Sequence, residues 1–382
     1  MFDVLLSIVI SFTITFLAIP VIITVAETKK LFDVPDERKV HITPITPLGG
    51  LAIFAGFVFG CLLTIHFGSS SEFQFFIAAS LVIFFLGLKD DILVISPIKK
   101  FIGQVLAAFL IIYYGGIQIK SMHGFLGMNQ MPEMFSLLLT YFAVLVIINS
   151  FNLIDGVDGL AGSLGLMATT IFGIYFLIID MPSYSILAFS LAACLLAFLI
   201  FNFQPAKIFM GDTGSLLIGL VNAILVIKFI NVANAPDVSY NIAAAPAIGF
   251  TILLMPLLDT LRVFGIRIFY RRSPFSPDRN HIHHLLLDKG FSHRAVTIIL
   301  VLLNFAAITA VYFARTTLSC TTLIFCSFIF FFGLIALFYY MPSRTRLVVA
   351  KLTTKEQSKT NLKPSKLVPF SKDANTILEQ KN

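Results

Sequence analysis

The chain has 382 residues, of which 58% are hydrophobic and 12% charged, with 41 phenylalanines and a mean hydropathy of +0.93. That balance excludes an ordinary soluble domain of this length and points to a protein embedded in a bilayer. The formal net charge of +7 reads as topology plus attraction for anionic lipids and anionic substrates, since no nucleic-acid-binding motif accompanies it.

A spanning helix needs about 20 mostly apolar residues. Apolar stretches run over 2–25, 48–67, 73–89, 101–118, 135–151, 160–180, 185–201, 214–231, 241–270, 295–314 and 320–341. They predict an all-α polytopic membrane protein with about 11 transmembrane helices. Residues 1–341 are expected to form one transmembrane domain, which the motifs below make the catalytic one, and 342–382 a polar, lysine-rich cytoplasmic tail with nothing catalytic in it. The first stretch carries Asp3, lacks a small-residue cleavage site and leads into further spans, so it reads as an anchor. The stretch 241–270 contains Pro246 and Pro256 and is expected to be tilted, kinked or partly outside the bilayer.

The gaps carry the chemistry. The first, Val34 to Gly50, is stiff at its prolines and open at its glycines, and it offers Lys39 as an anion contact together with Thr46. At the end of the third stretch stand Asp90 and Asp91, where a helix C-terminus prefers cations. Two adjacent carboxylates there raise each other's pKa or demand a cation. Lys99 and Lys100, close to Gly103-Gln104, are anion contacts or plain surface charges. Next comes Asn149-Ser-Phe-Asn152-Leu-Ile-Asp155-Gly-Val-Asp158-Gly. If helical, its spacing puts both aspartates on one face, and it lacks the ligand pattern of a calcium loop.

Residues 202–215 combine Asn202, Lys207, Phe209 and Asp212 with three glycine or hydroxyl positions around Met210-Gly-Asp. That set suits phosphates and a hard cation, because Mg²⁺ takes one or two carboxylates plus phosphates and waters. A helix-capping role for Asp212 is the plainer alternative. Arg279, His281, His283 and His284 close the series. With no cysteine or clear carboxylate partner nearby they suit anion binding better than zinc. His41, His66, His123 and His293 stand outside this cluster and read as structural or surface residues. Cys61, Cys194, Cys320 and Cys326 lie in apolar stretches without paired spacing, as small core or lipid-facing residues.

All motif gaps fall on one side of the implied membrane. Of the 27 Lys and Arg residues, all but Lys120, Lys228 and Arg315 lie there too. The positive-inside bias makes that side cytoplasmic, with the N-terminus outside and the C-terminus inside.

Taken together, Asp90-Asp91, the run N-L-I-D-G-V-D-G-L, the run F-M-G-D-T-G-S and the element R-N-H-I-H-H resemble the polyprenyl-phosphate N-acetylhexosamine-1-phosphate transferase family over about residues 30–295. The stretch from Ser273 to His284, with Ile282 interrupting the histidines, is similar to the branch using UDP-N-acetylglucosamine. The peptidoglycan branch, which transfers phospho-N-acetylmuramoyl-pentapeptide, shows contiguous histidines. The resemblance implies that undecaprenyl phosphate attacks the sugar-proximal phosphorus of UDP-N-acetylglucosamine. The products are the lipid diphosphate sugar and UMP, the first step of a lipid-linked surface glycan such as O antigen, common antigen or teichoic acid. It implies a bacterial plasma membrane, Mg²⁺ or Mn²⁺ as cofactor, and a homodimer as one available assembly. By matched position Asp212 holds the metal. Asp90 or Asp91 orients or deprotonates the lipid phosphate, and Asp155 and Asp158 hold the diphosphate with Asn152. His281, with His283 or His284 and Arg279, binds phosphate. Lys39, Thr46, Asn149, Asn202, Lys207 and Phe209 complete the substrate site. The alternatives are the same chemistry with another UDP-N-acetylhexosamine or with UDP-N-acetylmuramoyl-pentapeptide, and a covalent route. A carboxylate-based transporter is the different-class alternative, but it would place its acids near the bilayer midplane in repeated halves.

Overall fold

The computed structural model describes residues 1–29, 45–68, 70–234, 238–273 and 279–342. Lys39, His41 and the tail from 343 onward lie outside these residues. The described chain is helical: α1 (Phe2–Lys29), α2 (Gly49–Thr64), α3 (Glu72–Ile92), α4 (Pro97–Phe109) continued by a π-helical turn (Leu110–Tyr114), α5 (Glu133–Ile154), α6 (Leu160–Ile178), α7 (Pro182–Asn202), α8 (Gly211–Val232), α9 (Ala245–Ile252), α10 (Leu254–Phe269), α11 (Ile282–Asp288), α12 (His293–Ala314) and α13 (Cys320–Tyr340). Eight of these are long and apolar enough to span a bilayer, and α9 with α10 makes a ninth, bent by 79°. The other two expected spans exist as the 16-residue α2 and as α3, whose last turn carries Lys89, Asp90 and Asp91. One hairpin, β1 (Ser121–Phe125) with β2 (Met128–Gln130), joins the helices without having been foreseen. Its turn residues Leu126 and Gly127 both have positive φ, the geometry that two-residue hairpin loops favour.

Burial orders the bundle. Across its span α8 is 78% buried and α1 only 17%, so α8 is the axis and α1 faces lipid. Small residues let neighbours close on that axis, as membrane helix packing favours. A Cβ on Gly219 would meet Ile148 Cα of α5 at 2.5 Å, and one on Gly87 of α3 would meet Thr213 Cα at 2.5 Å. Chain direction alternates through the bundle. The end of α3, the start of α4, the end of α5, the start of α8 and the end of α10 therefore gather at one pole.

The break at Leu253 has a specific cause. In a continuous helix the Ile252 carbonyl would accept from residue 256, which is a proline without an N–H. The fully buried Asn304 of α12 supplies the missing donor, its Nδ2 lying 3.1 Å from Ile252 O, while its Oδ1 accepts from Met255 N at 3.0 Å. One side chain thus satisfies both freed backbone groups in an apolar interior, where neither finds water. Pro246 instead sits at the start of α9, where proline is tolerated. Asn304→Leu leaves a buried N–H and a buried C=O unpaired, and the expected cost is about 2–4 kcal/mol. A thermal midpoint in detergent, compared with Asn304→Gln, checks it.

Candidate active site

The pole is built around the first turn of α8. Asp91, at the end of α3, accepts from the Asp212 amide at 2.6 Å, the Thr213 amide at 3.1 Å and the Thr213 hydroxyl at 2.6 Å. Its carboxylate caps α8 from outside, where the helix presents unpaired N–H groups and a partial positive charge. Gly87 allows the approach, and Gly211, at φ +70°, turns the chain into the helix beside the Pro47 carbonyl. Asp212 is therefore held by its backbone while its side chain points away from Asp91.

That side chain meets Lys100. The Lys100 ammonium forms an ion pair with Asp212 Oδ2, a second with Asp90 Oδ2 at 3.1 Å, and donates to Asn152 Oδ1 at 3.1 Å. Asn152 Nδ2 donates to Asp212 Oδ1 at 2.7 Å and lies 3.0 Å from Ser215 Oγ. Asp90 Oδ1 accepts from Ile95 N at 2.8 Å. Lys100, which the sequence left ambiguous, is thus the hub joining α3, α4, α5 and α8.

A cavity opens on either side of this hub, and Asn152 lines both. The first, about 300 Å³, is walled by Asp155, Gly156, Asp158, Phe209, Gly211 and Asp212. The second, about 400 Å³, is walled by Asp90, Lys100, Gln104, Asn149, Phe264 and Arg267. Asn149 and Gln104 exchange amide hydrogen bonds of 2.8 and 3.3 Å. Along α5 and α10, residues Val146, Ile147, Leu257 and Leu261 face a third, apolar cavity of about 310 Å³. The same two helices continue into the Lys100 cavity through Asn149, Leu153, Phe264 and Arg267. The apolar cavity and the polar, cationic one thus lie in succession along the same two helices.

The Asp155–Gly159 segment is a turn rather than the helical face considered above, yet both aspartates line the first cavity. Burial raises the Asp155 carboxyl well above its ordinary value, and the charges of Asp212, Asp91 and Asp158 push the same way. Asp158 is buried, with Oδ1 3.3 Å from His293 Nδ1, so His293 belongs to the site's surroundings. Asn202 ties the segment down: its Oδ1 accepts from Gly159 N at 2.8 Å and its Nδ2 donates to Ile208 O at 2.8 Å.

The histidines pack beneath this turn. His281 is buried and its Nδ1 lies 2.8 Å from Asp259 Oδ2, a carboxylate that sequence reading missed. His283 stacks on His281 with 5.5 Å between ring centres and 6° between planes. A Cβ on Gly156 would collide with His283 Nε2, so that glycine admits the ring. Burial lowers the His283 pKa to about 3, with His284 the next cause, and burial followed by Arg279 lowers that of His284. Buried His283 is therefore neutral at physiological pH and offers hydrogen bonds rather than charge. The sign for stability follows. Between about pH 6.5 and 3 the unfolded chain binds the proton that the folded chain refuses, so stability falls with acid by at most about 1.4 kcal/mol per pH unit. His283→Gln is expected to flatten that slope, measured as thermal midpoint against pH.

The remaining residues separate by exposure. Thr46 is buried, and its carbonyl accepts from Phe209 N at 2.9 Å, joining the residues before α2 to those before α8. Lys207 is exposed. Arg279 is 62% exposed and pairs loosely with Asp288 at 3.6 Å.

Asp212, Asp155 and Asn152 bring hard oxygen atoms to the lining of the first cavity, with Lys100 engaging one oxygen each of Asp212 and Asn152. Among the described residues no three His, Cys, Asp or Glu close into a metal cage. That donor set fits Mg²⁺, which completes its shell with phosphate and water oxygens, and does not fit a structural zinc.

Residues 73–230 match the model of glycosyl transferase family 4. Among curated proteins, the chain is 31% identical over 277 residues to the undecaprenyl-phosphate alpha-N-acetylglucosaminyl 1-phosphate transferase of Yersinia pestis, covering 71% of this chain and 73% of that one. It is 34% identical over 307 residues to the decaprenyl-phosphate N-acetylglucosaminephosphotransferase of Mycobacterium tuberculosis, covering 73% and 75%. With the Escherichia coli K12 protein bearing the same name as that of Yersinia it shares 30% over 283 residues, covering 73% and 75%.

Proposed function

We propose, from the premise that this chain belongs to glycosyl transferase family 4, that it transfers N-acetylglucosamine 1-phosphate from UDP-N-acetylglucosamine to undecaprenyl phosphate, releasing UMP and starting a lipid-linked surface glycan. The enzyme is a multi-pass membrane phosphoglycosyl transferase. The proposed orientation puts the pole bearing the site in the cytoplasm, where nucleotide sugars are available and where the Lys and Arg residues concentrate. The observation that carries the reading is the junction itself. An apolar cavity along α5 and α10 is followed on the same helices by a cavity lined by Lys100 and Arg267, and this shares Asn152 with a second cavity lined by Asp155 and Asp212. A prenyl chain with a phosphate head matches the first pair of surfaces, and a metal-bound diphosphate matches the second.

Both reactants are anions, so catalysis rests on screening and alignment. Lys100 and Arg267 bind the lipid phosphate in the cationic cavity. Asp90, fixed by the Ile95 amide and paired with Lys100, orients that phosphate and accepts its proton when it arrives protonated. A phosphate oxygen of the lipid then attacks the sugar-proximal phosphorus. The bond to the bridging oxygen breaks, and that oxygen leaves on UMP. Asp212, with Asp155, would hold Mg²⁺, which supplies charge neutralisation at the diphosphate oxygens. Neutral His283, whose buried Nδ1 has no hydrogen-bond partner among the described residues, is a donor or acceptor available to the site, and His281 is assigned to the departing phosphate.

The test uses purified protein in detergent with undecaprenyl phosphate, Mg²⁺ and radiolabelled UDP-N-acetylglucosamine. The expected result is label in the lipid phase with equimolar UMP, abolished by chelator and restored by Mg²⁺. Transfer only from a different UDP-N-acetylhexosamine would correct the donor. Absence of transfer from every UDP-sugar, in folded protein, would overturn the reading.

A further inference from the structure

Asp259 is 1% exposed and sits on α10, the inner limb of the broken span. A carboxylate so placed is costly unless donors meet it, and three do. Oδ2 faces His281 Nδ1 at 2.8 Å, while Oδ1 accepts from Ile282 N at 2.9 Å and from Arg262 Nη2 at 2.9 Å. Arg262, one helical turn further on, also donates to the Asn280 carbonyl. The pair therefore grips the peptide before residue 281, the peptide after it and the ring itself. Satisfying the first turn of α11 would need only one carboxylate oxygen. The second is committed to the imidazole.

We infer that Asp259, braced by Arg262, is the positioning residue of the transferase site: it makes Nδ1 the ring's donor nitrogen and leaves Nε2 as the atom His281 presents to substrate phosphate. This inference rests on the proposed phosphate-facing role of His281. An aspartate hydrogen-bonded to one imidazole nitrogen fixes both the tautomer and the ring orientation. The 79° bend at Leu253 acquires a purpose, because it directs α10, and with it Asp259, toward the pole where His281 stands.

Asp259→Asn is the decisive variant. It keeps the size and one acceptor, but an amide N–H against Nδ1 forces that nitrogen to accept and moves the ring proton to Nε2. In folded, monodisperse enzyme the expected result is a kcat about 10–100-fold lower, the loss typical when an outer-shell partner of a functional histidine is removed. KM for UDP-N-acetylglucosamine is expected to stay within about threefold, since uniform binding is untouched. Placed on a His281→Gln background, the same change is expected to cost less than about threefold, because residues acting through one another are non-additive. A wild-type kcat per folded Asp259→Asn molecule, or an equal loss in both backgrounds, would overturn the inference and leave Asp259 a purely structural cap. Full activity in His281→Gln alone would instead remove the role of His281 on which the inference stands.

Discussion

Asp212→Asn is expected to lower transfer at least about a thousandfold, roughly 4 kcal/mol of transition-state stabilisation, in protein that folds as well as the parent. The two halves of that expectation come from the same geometry. Asparagine keeps the oxygen that accepts from Asn152 Nδ2 and leaves the backbone bond to Asp91 intact, so the start of α8 should not move. What disappears is one negative charge in a cluster already holding Asp90, Asp91, Asp155 and Asp158. Burial raises the Asp155 carboxyl and these neighbouring charges push it the same way, while Lys100 retains Asp90 as its partner. Removing a charge from such a cluster is expected to leave the thermal midpoint unchanged or higher, the usual trade between an active site and stability. Label transfer and UMP release, measured beside the midpoint, check both halves. Activity within tenfold of the parent would contradict the metal assignment. Loss of activity with a collapsed midpoint would make Asp212 a folding residue instead.

Much of this site is legible in the sequence because its acids stand at span ends, where hydropathy alone locates them. The apolar stretches placed Asp90, Asp155, Asp158 and Asp212 at one pole, and the helices put them there. What the sequence does not carry is which polar residue answers which. Lys100 lies 112 residues from Asp212 and 52 from Asn152, and nothing local distinguishes it from neighbouring Lys99. Asp259 and Asn304 sit inside stretches read only as apolar. Their meaning depends on a helix break whose position at Leu253 follows from which carbonyl Pro256 deprives of a donor, not merely from the presence of two prolines. Asn202 lines the first cavity, and both ends of its amide also hold backbone. Nothing local in the sequence shows that this amide also holds the Asp155–Gly159 turn.

Gly211→Ala is expected to be the most damaging substitution without any change of charge. Two costs coincide there. At φ +70° an L-residue loses about 1–2 kcal/mol against glycine. A Cβ would also collide with the Pro47 carbonyl and stand 2.6 Å from Asp91 Oδ1. Neither neighbour can retreat cheaply, because the first is backbone and the second is fixed by its three donors on Asp212 and Thr213. Any shift that relieves the clash also releases the cap on α8 and turns Asp212 away from Lys100. The expected outcome is at least about 3 kcal/mol of destabilisation together with near-complete loss of transfer. Gly127→Ala separates the two costs. That residue has φ +77° but open space around it, at the tip of the hairpin on the opposite pole. It should lose only the conformational part, about 1–2 kcal/mol, and keep full activity. Equal midpoints for the two variants would mean that the Gly211 contacts are not what holds Asp212 in place.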